Sequence, residues 1–407
     1  MSDALTAWPG RARGGTGSAD GAVRPMEVGY LIDSLTTGGA ERLVVTFAEA
    51  VRGRPDVNLT VFVLNDRRTP FLERLEAIGT RTVLLPGRGI GDVRRFARLL
   101  RELHAARLDC LHAHLTSATI LGSWAAALLR VPFAATIHNV RPSTRRVTRL
   151  RRGVYRLALR RPGTLRIAVG RAVAEALRED IGDRDCLVVP NAIAPSAVAP
   201  PQARGAKRVE LGLGDGAVAL AAVGSLIPQK GYADLLAAFQ FVAGRHPEAV
   251  LLIAGAPSQP DHAGALHRTA AALGLGDRLR FLGLHRDIPG LLAASDLFVS
   301  ASHWEGAPVA LLEALANGLP CCVTDVGENA VILEGIEADL RPPGRPALLA
   351  DAICGMITDP DRRARAGAAG RERVMARYGA AGWADRLTSL YAERAGRAGR
   401  AVGRRTA

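Results

Sequence analysis

Residues Glu305 to Gly318 read EGAPVALLEALANG and run straight into Leu319-Pro320-Cys321-Cys322-Val323. Two glutamates, eight positions apart, flank a Gly, a Pro and an apolar run of helical character that stops at a Gly. Pro308 suits the first turn of a helix, where its missing N–H costs nothing, and Gly318 suits the stop. The stretch therefore predicts a loop carrying Glu305, then a helix carrying Glu313 about a turn and a half inside. That is the geometry of a ligand lying across a helix N-terminus, one carboxylate at its near end and the other at its far hydroxyls.

Outward from this stretch the chain alternates short β-rich runs with helical ones. The first series of predicted strands is Glu27–Ile32, Leu59–Leu64, Thr82–Leu85, Cys110–His112, Phe133–Ile137, Leu165–Val169 and Leu187–Val189. A Pro/Ala-rich connection from Asn191 to Ala206 interrupts it. A second series follows at Val218–Val223, Val250–Ala254, Leu279–Leu282, Leu297–Ser300 and Cys321–Val323. Near-continuous apolar strands separated by helices argue for parallel sheets covered on both faces. The prediction is an α/β chain of two Rossmann-like, doubly wound domains facing a central cleft. Residues 26–193 form the first domain, 194–207 a linker and 208–376 the second domain. A C-terminal helix at 377–393 is expected to pack back toward the first domain. Residues 1–25 and 394–407 read as a disordered tail and a basic tail.

At 407 residues the chain can hold two full-sized cores, and its 48% hydrophobic content is ordinary for a globular protein. The N-terminal segment is rich in Gly, Ala and Arg without an apolar centre, so it reads as a tail rather than a signal peptide. The longest uncharged apolar stretch, Leu111 to Leu129, is broken by His, Ser, Thr and Gly and predicts no spanning helix. Cys110, Cys186, Cys321, Cys322 and Cys354 show no CxxC spacing and fit small buried thiols of a reduced, cytoplasmic protein.

The net charge of +14 comes almost wholly from arginine, since Lys207 and Lys230 are the only lysines. A charge run is commonly a solvated face, and an Arg/Ala/Gly bias can be codon composition. The densest cluster, Arg141 to Arg166, nevertheless sets Val147, Leu150, Val154, Leu157 and Ala158 at helical spacing among arginines. It predicts an amphipathic basic helix able to lie on anionic lipid or face a phosphorylated acceptor, through Arg145, Arg146, Arg149, Arg151 and Arg152. Nucleic acid is not an expected partner.

Four further features carry chemistry. Gly38-Gly39 after the first strand lets backbone N–H groups approach a ligand, although such turns are common and this one is not the GxGxxG dinucleotide fingerprint. Lys230, in GSLIPQKG after the first strand of the second domain, places a cation where it would meet a phosphate. His138 ends a strand at its carboxyl edge. His112 and His114 form an HxH pair with no third ligand nearby, so metal binding is not predicted. A retaining-glycosidase reading of the glutamates also fails on spacing, and an inverting pair, which needs about 6.5–9.5 Å, stays open only if the side chains converge. Eight residues of helix separate the Cα atoms by about 12 Å, whereas a retaining acid–nucleophile pair needs about 5–5.5 Å. Positions eight apart do lie within about 80° of each other around a helix, so both glutamates can address one elongated ligand.

Together these segments resemble glycosyltransferase family 4, retaining enzymes of the GT-B fold, over roughly residues 26–393. The resemblance rests on EGxPxxLLEALAxGLP at Glu305–Pro320, GGAER at 38–42, ATIH at 135–138, VVPNAI at 188–193, VGSLIPQKG at 223–231, FLG at 281–283 and SDLFVSAS at 295–302. It implies transfer of a hexose from a nucleotide diphosphate sugar to a saccharide or lipid-linked acceptor, in polysaccharide or glycolipid synthesis, without metal or cofactor. By position, Lys230 would hold the diphosphate, Glu313 the ribose hydroxyls and Glu305 the transferred sugar. Ala307, Pro308, Val309 and the turn Gly327, Glu328, Asn329 would offer backbone N–H groups. Leu282 and Gly283 would border the base, Gly38 and Gly39 would close over the donor, and His138 would sit beside the sugar. Glu305, His138 and Lys230 are the expected catalytic residues. The chain departs from the family pattern at Ser225, where an Arg is common and which counts among the donor-binding positions. It departs also at Gly170, where Ser is usual, and at GENA 327–330. The rival readings are an epimerase or phosphorylase on the same scaffold, or a degenerate transferase acting as a binding or scaffold subunit. The expected location is cytoplasmic, at the inner face of the membrane where the acceptor is a lipid.

Overall fold

The computed structural model describes residues 24–36, 38–139, 149–182 and 185–403, with side chains to residue 396. Arg145 and Arg146, and residues 1–23 of the predicted tail, lie outside the described residues.

The first domain is built on seven strands: β1 (Met26–Ile32), β2 (Val57–Val63), β3 (Arg81–Leu84), β4 (Cys110–His114), β5 (Phe133–Ile137), β6 (Leu165–Ala168) and β7 (Cys186–Val188). They pair in parallel in the order β3-β2-β1-β4-β5-β6-β7. The second domain has six: β8 (Val218–Val223), β9 (Ala249–Ala254), β10 (Leu279–Gly283), β11 (Leu297–Ser300), β12 (Cys321–Thr324) and β13 (Asp339–Arg341). Their order, again all parallel, is β10-β9-β8-β11-β12-β13. Central strands such as β8 and β9 are buried on both faces, which is why they read as apolar runs rather than alternating ones. The strand β13 escapes sequence reading because it is three residues long and ends in charge: Asp339 is held by Arg341 at 2.6 Å and Arg362 at 3.1 Å.

Helices cover the sheets through apolar stripes. In the helix Gly39–Val51, Leu43, Val44, Phe47, Ala48 and Val51 are buried, and Phe47 stacks on Tyr30 of β1 with ring centroids 4.6 Å apart. The last helix, Ala380–Gly403, returns to this same core. Its Leu387, Leu390 and Tyr391 are buried with Tyr30 and Phe47, and the Tyr30 and Tyr391 hydroxyls lie 2.8 Å apart. The chain thus crosses between domains twice, and the crossings are hydrogen-bonded to each other. Ile193 N–H donates to the Tyr378 carbonyl at 2.8 Å, and Ala380 N–H donates to the Ile193 carbonyl at 3.0 Å.

Several boundaries differ from the sequence reading. The linker 194–207 is itself structured: a short 3₁₀ turn, Pro195–Ala197, precedes a helix, Ala203–Glu210, whose Lys207 is paired to Asp287 at 2.6 Å. The basic segment after 394 continues the C-terminal helix to Gly403 instead of leaving it as a tail. Pro308 stands at the N-cap position of its helix, Val309–Ala316, rather than inside the first turn, so Glu313 sits little more than one turn inside. The basic helix runs Arg149–Arg160, but it buries Ala158 and Leu159 rather than Leu150 and Leu157, which are 78% and 55% exposed. Helical spacing alone permits either stripe; the core took the one that includes Tyr155.

Candidate active site

Each sheet reverses its strand order once, between β1 and β4 in the first domain and between β8 and β11 in the second. Loops leaving the carboxyl ends of strands on either side of such a reversal diverge and leave a crevice for a ligand. Here the two crevices oppose each other across a cleft of ≈ 380 Å³. Gly38 and Gly39 after β1 and His138 after β5 line one wall. Ser225 and Lys230 after β8, Glu305 to Val309 after β11, and Glu313 line the other.

Glu305 is buried, and both of its oxygens accept hydrogen bonds. Its Oε1 accepts from Lys230 Nζ at 2.6 Å and Ser302 Oγ at 2.8 Å, and its Oε2 from Gln229 Nε2 at 3.3 Å. A carboxylate withdrawn from water needs such compensation, because desolvation otherwise outweighs the attraction of one partner. The arrangement fixes Lys230 at the cleft wall beside the N-terminus of the helix Val309–Ala316, whose open N–H groups carry partial positive charge. A cation and a helix N-terminus side by side form a site for an anion of phosphate type.

The first domain meets this wall closely. At Gly306 a β-carbon would lie 2.2 Å from the carbonyl oxygen of His138, so only glycine lets the two backbones approach. Asn191 Nδ2 donates to the Ala307 carbonyl at 2.6 Å. Arg42 Nε donates to Glu313 Oε1 at 2.7 Å, and its guanidinium lies over the Phe71 ring, 5.5 Å from the centroid. At the mouth, Arg286 and Glu73 approach to 3.6 Å across the domains.

His138 is not alone. Its Nε2 lies 3.1 Å from His114 Nδ1, and the His114 ring packs against His112 with centroids 4.4 Å apart. His112 in turn bonds Tyr391 at 2.6 Å and Thr136 at 2.7 Å. Burial pushes His138 down to about 4 and His112 down to about 3, and holds His114 well below the ordinary imidazole range. These imidazoles are therefore neutral near pH 7, and the HxH pair belongs to a run of contacts from the cleft to the C-terminal helix, hydrogen-bonded at both ends and joined in the middle by the packing of the His114 ring on His112. Among the described residues, no group of three or more His, Cys, Asp or Glu is arranged to hold a metal ion.

Glu305, Lys230, His138, Glu313, Gly38, Gly39, Ser225, Ala307, Pro308 and Val309 all border the cleft. Leu282 and Gly283 do not. They still belong to β10, Gly283 turns the chain at φ +61°, and Leu284, His285 and Arg286 reach the cleft instead. Gly327, Glu328 and Asn329 also stand behind it: Glu328 N–H donates to the Gly306 carbonyl at 2.9 Å, and Asn329 Nδ2 to the Thr324 carbonyl at 2.8 Å, bracing the Glu305 loop from behind. Arg149, Arg151 and Arg152 lie away from the cleft; Arg151 donates to Ser117 Oγ at 2.9 Å and Arg152 pairs with Asp180 at 2.5 Å. Arg42, Asn191, Gln229 and Ser302 were missed as site residues. All four fall within quoted motif segments, but only the tertiary contact gives each a role.

Residues 37–197 match the family model described as Glycosyltransferase Family 4, and residues 204–373 that described as Glycosyl transferases group 1. The chain is 28% identical over 398 residues to the 2-deoxystreptamine N-acetyl-D-glucosaminyltransferase of Streptomyces fradiae, covering 93% of this chain and 91% of that protein. It is 29% identical over 253 residues to the UDP-Gal:alpha-D-GlcNAc-diphosphoundecaprenol alpha-1,3-galactosyltransferase of Escherichia coli. That match takes in 60% of this chain and 65% of the relative, less than two thirds of its length. Among solved structures, Anabaena HepE in complex with UDP-glucose superposes with a TM-score of 0.80 at 23% identity, over 90% of this chain and 100% of that one, a likeness of fold.

Proposed function

The chain belongs to glycosyltransferase family 4, with the GT-B fold, and on that premise we propose that it is a retaining hexosyltransferase using a nucleotide diphosphate sugar. The acceptor is a saccharide or a lipid-linked acceptor, and the setting is polysaccharide or glycolipid assembly at the cytoplasmic face of a membrane. The observation that carries this reading is the Lys230–Glu305 contact at 2.6 Å, beside a helix N-terminus at the strand-order reversal of the second domain.

The chemistry follows from that contact. The bond between the anomeric carbon and the phosphate oxygen breaks, and the nucleoside diphosphate leaves with the electron pair. The acceptor hydroxyl oxygen bonds to the same carbon, and its proton passes to the released phosphate. Negative charge grows on the leaving group, and Lys230 with the helix N-terminus stabilises it where it develops, in place of a metal ion. Glu305 positions Lys230 and addresses the sugar hydroxyls. Neutral His138 exchanges hydrogen bonds with the sugar without adding a charge beside the reacting carbon.

Support for a peripheral membrane position comes from the exposed Leu150 and Leu157 among the arginines of the helix Arg149–Arg160. No described helix is long and apolar enough to cross a membrane. The test is a turnover assay with UDP-, GDP- and ADP-sugars, following donor hydrolysis and transfer to saccharide acceptors. Turnover that disappears in Lys230→Ala and Glu305→Ala is expected. Tight nucleotide binding without turnover on any donor would favour a scaffold subunit instead.

A further inference from the structure

A diphosphate brings at least two negative charges, and the cleft offers few cations to meet them. Among the described residues lining it, the permanent cations are Lys230, Arg42 and Arg286. Arg286 stands at the solvent mouth, its side chain 72% exposed and facing Glu73. Ser225, at the turn after β8, contributes only a hydroxyl, and the imidazole of His138 is neutral. Lys230 is therefore the one cation that the second domain places on the inner wall.

Arg42 is placed to be the other. It lies on the helix Gly39–Val51, one turn beyond Gly39, where a β-carbon would come within 3.2 Å of Val309 Cγ2. The first turn of that helix therefore lies over the first turn of the helix Val309–Ala316. The Arg42 side chain is only 21% exposed, clamped between the Phe71 ring and Glu313. Among the described residues its contact with Glu313 is single-pronged, Nε to Oε1, and its two terminal amino groups carry no hydrogen bond. Glu313 Oε2 is likewise left open. A guanidinium buried on one face, held through Nε and with its terminal N–H groups in a cleft, is prepared for a second acceptor of planar or tetrahedral oxyanion type.

Resting on the glycosyltransferase reading, we propose that Arg42 is a second diphosphate-binding residue, supplied by the first domain and aimed by Glu313. It provides the cation that Ser225 does not. Glu313 then has two tasks on two oxygens: Oε1 orients Arg42, and Oε2 accepts from a ribose hydroxyl. The diphosphate bridges Lys230 of one domain and Arg42 of the other, so donor binding ties the domains together.

The experiment is equilibrium binding of UDP, GDP and ADP, and of the matching nucleosides, to the full chain and to Arg42→Gln. The expected result is a loss of about tenfold or more for whichever nucleoside diphosphate binds, with nucleoside binding little changed. Adding Ser225→Arg to Arg42→Gln should restore diphosphate affinity. An equal loss for diphosphate and nucleoside would overturn the proposal, because it would mean that Arg42 only shapes Glu313; so would no loss. Should Arg42→Gln fail to fold, Ser225→Arg alone decides: with Arg42 already in place it changes diphosphate affinity little, and a tenfold gain overturns the proposal. A wild-type chain that binds none of the three diphosphates brings down the functional reading and this inference with it. A wild type that binds, beside an unaffected Arg42→Gln, brings down this inference alone.

Discussion

A β-carbon at Gly170 would lie 2.2 Å from Cγ of Glu328, although the two residues belong to different domains. Gly170 is the N-cap of the helix Arg171–Ile181 and has no side chain to cap it. Glu328 does so from across the boundary, its Oε1 accepting from Ala172 N–H at 3.3 Å. The two positions are both departures from the family pattern, and the contact joins them into one: the glutamate needs the space that the missing side chain leaves.

This contact predicts non-additivity. Gly170→Ser evicts Glu328, and Glu328→Gly uncaps the helix; each should cost about 1 kcal/mol in urea unfolding. The double variant regains a cap from the serine hydroxyl, so its loss should fall short of the sum by at least about 0.5 kcal/mol. Strictly additive losses would separate the two residues.

Lys230 and Glu305 predict a split between stability and turnover. Lys230→Ala removes a charge from the leaving-group site and should lower kcat by about 10²–10³-fold. It also leaves the buried Glu305 carboxylate without its cation, so the melting temperature should fall as well. Lys230→Met with Glu305→Gln removes both charges and should regain much of the stability while remaining inactive. If the double variant melts no higher than Lys230→Ala, the pair is not what sets the cost.

The histidine chain predicts a pH dependence with a definite sign. Burial holds His112 down to about 3 and His114 well below the ordinary value of 6.5. Below that value the unfolded chain takes up protons that the folded chain refuses, so stability falls as pH drops from about 6.5 toward 4. The slope is about 1.4 kcal/mol per pH unit for each such histidine. Asp33 and Glu41, whose carboxyls burial holds up, pull the other way. The comparison is therefore between wild type and His112→Gln: urea midpoints at pH 7 and pH 5 should differ less in the variant. Equal differences would mean that His112 is not the group that titrates.

How far the sequence carries can be read from particular residues. The sheets were legible because β8, β9 and β12 are buried on both faces and so appear as near-continuous apolar runs. Glu305 and Lys230 were legible because a cation and a carboxylate at strand-to-helix turns have few structural uses. Arg42 was not, since an arginine in a chain so rich in arginine carries no signal until its 2.7 Å contact with Glu313 is seen. The GENA turn is hard to place for a related reason. A backbone turn near a ligand loop reads the same from sequence whether it faces the ligand or braces the loop from behind.

The basic helix provides the last prediction. Arg152 is tied to Asp180 at 2.5 Å and Arg151 donates to Ser117, so part of the positive charge serves the fold. Among the described residues, Arg149, Leu150 and Leu157 face solvent, and the two leucines stand one heptad apart on the same side of the helix. Two exposed leucines beside arginines supply both the apolar and the electrostatic part of an interfacial contact, and neither part suffices alone. The full chain should therefore float with vesicles containing anionic lipid, and less so at high salt. Leu150→Gln with Leu157→Gln should abolish flotation, and Arg149→Gln should weaken it by about 1 kcal/mol. Because these side chains lie away from the cleft, turnover on a water-soluble acceptor should stay unchanged in all three substitutions. Flotation that survives the double leucine variant would move the membrane contact to another part of the surface.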